Sequence, residues 1–337
     1  MSTLIVKSVK VDEVKKHPNA DKLDLAIIGG WQVVVSKDTV RVGDIGVYIP
    51  PDSLVPAEFS DHYGFTKYLK SNGRVCSARL RGEPSHGVFI KNDDFLGIKD
   101  VGEDLAERFG ITKYVSERIT AADAEVDHPK FDKYTEIENI RHFSTVFELG
   151  EEVVITEKLH GTNTRTGFID GLFMSGSHKL RRKLDDKKTA EGEYDFEHIK
   201  NNPYLHPFSI SNVRNLLQSL GKDCILYGEV CGKNVQGYFS YGVDSGFLFR
   251  AFDLKVNGNY LDYDEFSGIC SKFDVPIVPV LYRGPFSMDK VKELSVGKST
   301  YAEHIREGVV IKPVKERADP AIGRVVLKYI SDDFLLH

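Results

Sequence analysis

Thr156-Glu157-Lys158-Leu159-His160-Gly161-Thr162-Asn163 follows directly on the apolar run Val153-Val154-Ile155, and the two together predict a strand that ends in a turn. The β-branched run favours a pleated backbone, while Gly161 and Asn163 supply turn residues. Alternation with period two places Thr156, Lys158 and His160 on one face and Glu157 and Leu159 on the other. A lysine at a strand end, taken alone, is an ordinary solvated residue. Its companions further along the chain decide otherwise.

Those companions come in a fixed order: Leu226-Tyr227-Gly228-Glu229, then Phe249-Arg250-Ala251-Phe252-Asp253, then Glu307-Gly308-Val309-Val310-Ile311-Lys312-Pro313, and last Val325-Val326-Leu327-Lys328. Each is a short apolar strand with a charged residue at or beside its end, the pattern by which a mixed sheet lines a polar cleft. With Lys-x-His-Gly at their head, they resemble the motifs of ATP-dependent RNA ligases in the covalent nucleotidyltransferase superfamily, over roughly residues 138–337. His160 favours RNA ligases, because DNA ligases and capping enzymes usually have Asp at that place. Within the RNA ligases the chain is most similar to the Deinococcus/Naegleria-type family, which carries an additional domain before the catalytic one.

The fold class implied is α+β: an N-terminal OB-like β-barrel at 1–110, a linker at 111–137, and at 138–337 an adenylyltransferase (RNA ligase) domain. That last domain is expected to have the ATP-grasp-like ligase architecture of antiparallel or mixed sheets with flanking helices. A length of 337 residues and 41% hydrophobic content suffice for two cores. Short strands are expected at Leu4–Val11, Leu25–Ile28, Trp31–Val35, Gly46–Tyr48, Arg74–Leu80 and Gly87–Ile90, punctuated by Gly-Gly, Pro-Pro and Asn-Gly. This spacing suits an OB-fold, which binds single-stranded nucleic acid on one face. His17-Pro18-Asn19-Ala20-Asp21-Lys22-Leu23 is similar to a stretch of tRNA-binding OB domains.

A net charge of −5 argues against indiscriminate coating of nucleic acid, so a basic surface has to be local. The window from Lys67 to Arg81 holds Lys67, Lys70, Arg74, Arg79 and Arg81 and no acid, with Tyr63, Phe65 and Tyr68 adjoining. Charge and stacking rings there make Arg79 and Arg81 candidate RNA contacts. Residues 111–137 read as a linker or short docking helix, 179–200 as a charged surface helix or insertion, and Asn201–Leu220 as a helix with Val213, Leu216, Leu217 and Leu220 on one face. Cys76, Cys224, Cys231 and Cys270 show no CxxC spacing, so neither zinc nor a disulfide framework is indicated. The first residues lack a signal-peptide core, and no apolar run approaches a membrane span, so an intracellular protein without a membrane partner is expected, acting as a monomer.

The resemblance implies a role for each motif residue. Lys158 attacks the α-phosphorus of ATP to form lysyl-AMP. An unperturbed lysine has a pKa near 10.4, so only about one in 2,500 is neutral at pH 7, a deficit of about 4.6 kcal/mol. Neighbouring positive charge relieves it. Mg²⁺ or Mn²⁺ on Glu307 and Glu229 is the expected source, with Glu229 also contacting ribose. Arg141, Lys312 and Lys328 match phosphate-contacting cations, and Phe252 matches the ring that stacks on adenine. Only one lysine stands in the last motif, where two are usual, so either Arg324 substitutes or one suffices. The backbone at Glu157 and Leu159 is expected to read the adenine edge. Asn163 and His160 are expected to orient the AMP phosphate and the RNA ends, with Arg181 or Arg182 contacting substrate.

The expected activity is joining of 3′-OH and 5′-phosphate RNA ends, at a nick or a break, through lysyl-AMP and an adenylylated 5′ end. Two alternatives stand beside it. A capping guanylyltransferase shares the lysine chemistry, but such enzymes need an OB domain after the last lysine motif, and here nine residues follow Lys328. An RNA- or tRNA-binding module with a degenerate ligase domain is the other, against which the intact Lys158, Glu229, Glu307 and Lys328 speak.

Overall fold

A computed structural model describes residues 4–114, 122–184, 188 and 192–336. Parts of the stretches read as linker (115–121) and as charged insertion (185–187 and 189–191) lie outside them. The chain divides into two compact units, the first made of 1–118, 139–144 and 335–337, the second of 119–138 and 145–334.

The first unit is built from small antiparallel ladders. Lys7–Lys10, Ile45–Ile49 and Val88–Lys91 form one sheet, and Glu13–Lys16, Leu23–Ile28 and Trp31–Ser36 a second. The central strand Ile45–Ile49 shows why this sequence makes a barrel-like layer: Val47 and Ile49 enter a core with Phe59, Leu96 and Leu105, while Tyr48 enters another with Ala26, Trp31 and Phe89. Both faces are buried, as alternation requires. A hairpin of Ser77–Leu80 and Glu83–His86 and a short pair of Ser53–Leu54 with Thr112–Lys113 are added to these. Pro84 cannot donate to a ladder. Side chains make the join instead, with Gln32 donating to the Pro84 carbonyl (2.9 Å) and the Val34 amide to Ser85 Oγ (3.0 Å). Glu13–Lys16 and Glu83–His86 lack apolar alternation, and sequence reading passes over them.

In the second unit a seven-stranded sheet runs Ala124–Glu125, Arg181–Arg182, Leu172–Ser177, Thr162–Ile169, Cys224–Cys231, Leu248–Val256, Asn259–Tyr260. A second sheet contains, in order, Leu327–Ile330, Gly308–Pro313, Glu152–Lys158 and Val280–Pro285. The helices Ser211–Ser219 and Tyr263–Lys272 bring Val213, Leu216, Leu217, Phe266 and Cys270 onto a core shared with Leu226, Val230, Phe249, Ala251 and Leu254. The stretch 122–138 packs into this unit through buried Phe131 and Tyr134.

The helix expected over Asn201–Leu220 is broken. His206–Ser209 and Ser211–Ser219 are separate helices, with Ile210 extended between them. Pro203 and Pro207 explain the late start, since proline is tolerated only in a first turn, where Pro207 sits. Among the described residues, no helix is long and apolar enough to cross a membrane.

Candidate active site

Register places the charged residues of the second unit. Lys158 pairs with Gly308, Thr156 with Val310, Val154 with Lys312, and Val310 in turn with Lys328. Directly paired residues share a face, so Lys158, Thr156, Val154, Val310, Lys312 and Lys328 form one surface, and all six line a single cleft. Glu157 and Leu159 turn the other way. Glu157 is buried, accepting hydrogen bonds from Ser299 Oγ (2.6 Å) and the Thr300 amide (2.8 Å), and Leu159 packs with Cys231, Tyr241 and Val278.

The opposite wall comes from the seven-stranded sheet. Asn163 and Glu229 are paired neighbours there and both face the cleft. Phe252 arrives by an irregularity. Tyr227 pairs with Asp253 but Gly228 pairs with Ala251, so Phe252 is the extra residue of a β-bulge. The core confirms the slip: Phe249 and Ala251 share it with Leu254, so alternation changes phase across Phe252–Asp253. Two consecutive residues thereby escape that core. Phe252 lines the cleft, edge-on to Tyr134 at 4.8 Å, while Asp253 anchors what lies beside it.

Close backbone approach tightens the turn after Lys158 and the strand pairing beside Glu307. A Cβ on Gly161 would stand 2.3 Å from the Val230 carbonyl oxygen, and one on Gly308, at φ +154°, 2.1 Å from that of Tyr329. Only glycine allows either contact.

Lys158, Glu307, His160 and Glu229 form the charged centre. Lys158 Nζ lies 2.7 Å from Glu307 Oε1, and His160 Nδ1 3.3 Å from Glu307 Oε2. Glu229 Oε1 accepts from the Gly161 amide at 3.0 Å. Burial works against every charge here, but the Glu307 and Glu229 carboxylates overcome it and hold Lys158 above the ordinary lysine range. Glu307 is correspondingly lowered by Lys158 and His160 despite its burial. Glu229 is pushed up to about 7 by burial and by the Glu307 charge, against the pull of Lys158.

A second charged cluster was only half visible in the sequence. Asp253 is fully buried and its Oδ2 accepts from Tyr134 Oη (2.8 Å), Lys312 Nζ (2.9 Å) and Arg324 Nη2 (2.6 Å). Burial alone would raise Asp253, yet Lys312 and Arg324 hold it below the usual carboxylate range. Arg324 also pairs with Glu316 and lies 3.5 Å over the Tyr260 ring. It is engaged in this cluster, and the cleft-lining cation of the last motif is Lys328. Tyr134, Glu316 and Tyr260 belong to no apolar strand with a terminal charge, so nothing in their local sequence marks them.

Other expected contacts are placed elsewhere. Arg141 belongs to the first unit, with its guanidinium 4.1 Å over the Trp31 ring. Arg182 is buried against Asp123 and Tyr204, and Arg181 pairs with Glu125 at 3.1 Å, so neither lines the cleft. His178, in the turn between Leu172–Ser177 and Arg181–Arg182, does line it. It contacts Glu136 at 3.0 Å and is pushed down to about 4 by burial and by Arg165 and Lys179. Glu157 and Leu159 do line the cleft, with the Glu157 amide donating to the Pro279 carbonyl at 2.9 Å. In the first unit, Phe65 is core and Arg74 pairs with Asp52, while Arg79 and Arg81 stand exposed at the hairpin tip with Arg81 at φ 51°.

A family model described as RNA ligase matches residues 151–330, which contain Lys158, Glu229, Phe252, Glu307, Lys312 and Lys328. The chain belongs to the RNA ligase family. In this ligase a second model, an OB-fold domain, matches residues 5–91. The structure is similar to that of a Naegleria gruberi RNA ligase mutant with AMP and Mn, at TM-score 0.79 and 23% identity, covering 99% of this chain and 98% of the other. It is equally similar to another mutant of that protein with ATP and Mn, at TM-score 0.79 and 23% identity over 98% of each chain. At that identity the likeness shows the fold: an OB-fold domain followed by a sheet-rich ligase domain with helices. Curated relatives match locally. The phenylalanine–tRNA ligase beta subunit of Cereibacter sphaeroides is 33% identical over 107 residues, 28% of this chain and 12% of that one. That of Rhodopseudomonas palustris is 36% identical over 76 residues, 20% of this chain and 10% of the other. The ligase thus spans about a tenth of the length of these relatives.

Proposed function

We propose that this RNA ligase uses ATP to adenylylate Lys158, passes AMP to an RNA 5′-phosphate, and joins that end to a 3′-OH, at nicks or broken ends. The observation that carries the reading is the convergence of Lys158, Glu229, Lys312, Lys328, Asn163 and Phe252 on one cleft, with Glu307 in contact with Lys158. Lys158 forms the bond to the α-phosphorus as the bond to pyrophosphate breaks, and the amine gives up its proton to water. Lys312 and Lys328, on the same sheet face, oppose the charge of the phosphates. Phe252 offers its ring to adenine. Asn163 and His160 flank the transferred phosphoryl group.

The residues fit a hard divalent ion. Mg²⁺ and Mn²⁺ are commonly held by one or two carboxylates and water. Glu307 and Glu229 are those carboxylates, and Asn163 Oδ1 is buried without a hydrogen-bond partner, an acceptor left for a bound ligand's shell. When bound, the ion supplies positive charge beside the amine and offsets the carboxylate charge that favours ammonium. The solved relatives with ATP or AMP and Mn support the choice.

RNA docking falls to the first unit, where the exposed Arg79 and Arg81 carry the basic charge. Its OB-fold match over residues 5–91 supports this. Incubation with α-labelled ATP and Mg²⁺ tests the reading. Covalent label on the protein is expected. Label from GTP instead would favour capping chemistry, and none from either nucleotide a binding module.

A further inference from the structure

The strand ladder ends at Lys158, so the backbone of the next three residues must be held by something else. Side chains hold it. The His160 amide donates to Tyr241 Oη at 2.6 Å, the Gly161 amide to Glu229 Oε1 at 3.0 Å, and the Gly161 carbonyl accepts from Gln236 Nε2 at 2.9 Å. Glu229 belongs to the site already described. Tyr241 and Gln236 do not: Gln236 ends the short helix Lys233–Gln236 that follows the Glu229 strand, and Tyr241 lies in the turn after it.

Tyr241 bears the marks of a residue kept for its hydroxyl. Its φ is 52°, the left-handed region that a bulky side chain avoids, and it is 3% exposed. Such a conformation persists only where the surroundings over-determine it. Here the ring packs edge-on against His304 at 4.6 Å and beside Leu159, Cys231 and Val278. All of these contacts would suit phenylalanine equally well. The hydroxyl alone distinguishes tyrosine, and it meets the turn that carries the lysine. Phe239 of the same segment packs 4.9 Å from the His160 ring, so backbone and side chain of this turn are braced from one side.

We propose that Tyr241 and Gln236 are positioning residues that clamp the Lys158–Gly161 turn and set the rate at which Lys158 is adenylylated. The inference rests on the reading of Lys158 as the nucleophile. Small displacements of a reacting atom cost rate steeply, about a hundredfold for about 1 Å. ATP binding, which uses the sheet face and Phe252, is left alone.

The test is single-turnover labelling of the full-length chain with α-labelled ATP and Mg²⁺ across ATP concentrations. Tyr241→Phe should label to wild-type amplitude, with half-saturating ATP within about twofold and a first-order rate constant lowered about tenfold or more. Gln236→Ala, at an exposed position, should slow labelling about threefold to tenfold by the same readout. A merely structural role would reduce the amplitude, through a smaller folded fraction, and leave the rate constant unchanged. That result, or wild-type rate constants in both variants, overturns the clamp while leaving Lys158 as nucleophile. If the wild-type chain takes no label, the nucleophile reading itself fails and the clamp with it.

Discussion

In the free ligase Lys158 is stored as an ammonium, because Glu307 and Glu229 outweigh the burial that favours the neutral amine. As the proposed nucleophile, Lys158 would therefore be dormant until its counter-charges are drawn elsewhere. Lys158→Ala should abolish labelling by ATP and joining together. Lys158→Arg should be equally inactive, since guanidinium does not deprotonate in proteins. Persistent label on either variant, mapped by peptide sequencing, would move the nucleophile. Glu307→Ala should lower the adenylylation rate by about two orders of magnitude or more, with raised Mn²⁺ recovering part of it. Wild-type rates at low Mg²⁺ would remove Glu307 from the site.

Glu229 makes a pH-dependent prediction of its own. Its pKa is raised from an ordinary 4.5 to about 7, so between those values the folded chain binds a proton that the unfolded chain has lost. Stability contributed by this group therefore falls as pH rises from about 4.5 to about 7 and stays low above that. Glu229→Gln should thus be more stable than wild type at pH 8, by on the order of 1–3 kcal/mol after allowing for the cleft's solvent, and no more stable near pH 4.5. Melting both proteins across this range decides it. A variant less stable at pH 8 would mean that the carboxylate's bond to Gly161 outweighs the cost of its burial.

The bulge in the Leu248–Val256 strand does what a regular strand cannot. It turns Phe252 into the cleft and leaves its neighbour Asp253 to hold Lys312 and Arg324. Removing the Asp253 charge leaves the buried Lys312 and Arg324 with Glu316 as their remaining shared acid. Asp253→Asn should destabilise the ligase by about 3–5 kcal/mol, read as a shift in denaturant midpoint at unchanged slope. Phe252→Ala should instead raise half-saturating ATP several-fold while leaving the midpoint nearly unmoved, since its ring is only partly buried. The opposite pattern, with Phe252 governing stability and Asp253 not, would reverse their roles.

Across the full chain, net charge of −5 means that RNA attraction has to be local, and the hairpin with exposed Arg79 and Arg81 is the patch proposed for it. Arg79→Glu and Arg81→Glu should reduce sealing of nicked RNA while labelling by ATP proceeds at the wild-type rate. Added salt should depress sealing more steeply than labelling, because only phosphate contacts with RNA release condensed counterions. Equal salt dependence of the two steps would take this hairpin out of RNA binding.

The sequence alone identified the apolar strands with terminal charges, the order of the motifs and the family. Each depends on local alternation or on residues adjacent in the chain, and such signals survive without coordinates. It also placed Lys158 opposite Glu157, since one strand's two faces follow from period two. What it could not supply was phase and partnership. A bulge is one unpaired residue, and whether a strand contains one depends on the strand beside it; period two applied to Phe252 and Asp253 sends them to opposite faces. Arg141, Arg181 and Arg182 carry the same charge as Lys312 and Lys328, yet ring stacking and acid partners hundreds of atoms away in the chain decide which cations reach the cleft. The hydrogen bond from the His160 amide to Tyr241 likewise spans 81 positions. Local sequence determines which strands and charges exist; only packing of distant segments decides which charges meet, because hydrogen bonds and burial act through space rather than along the chain.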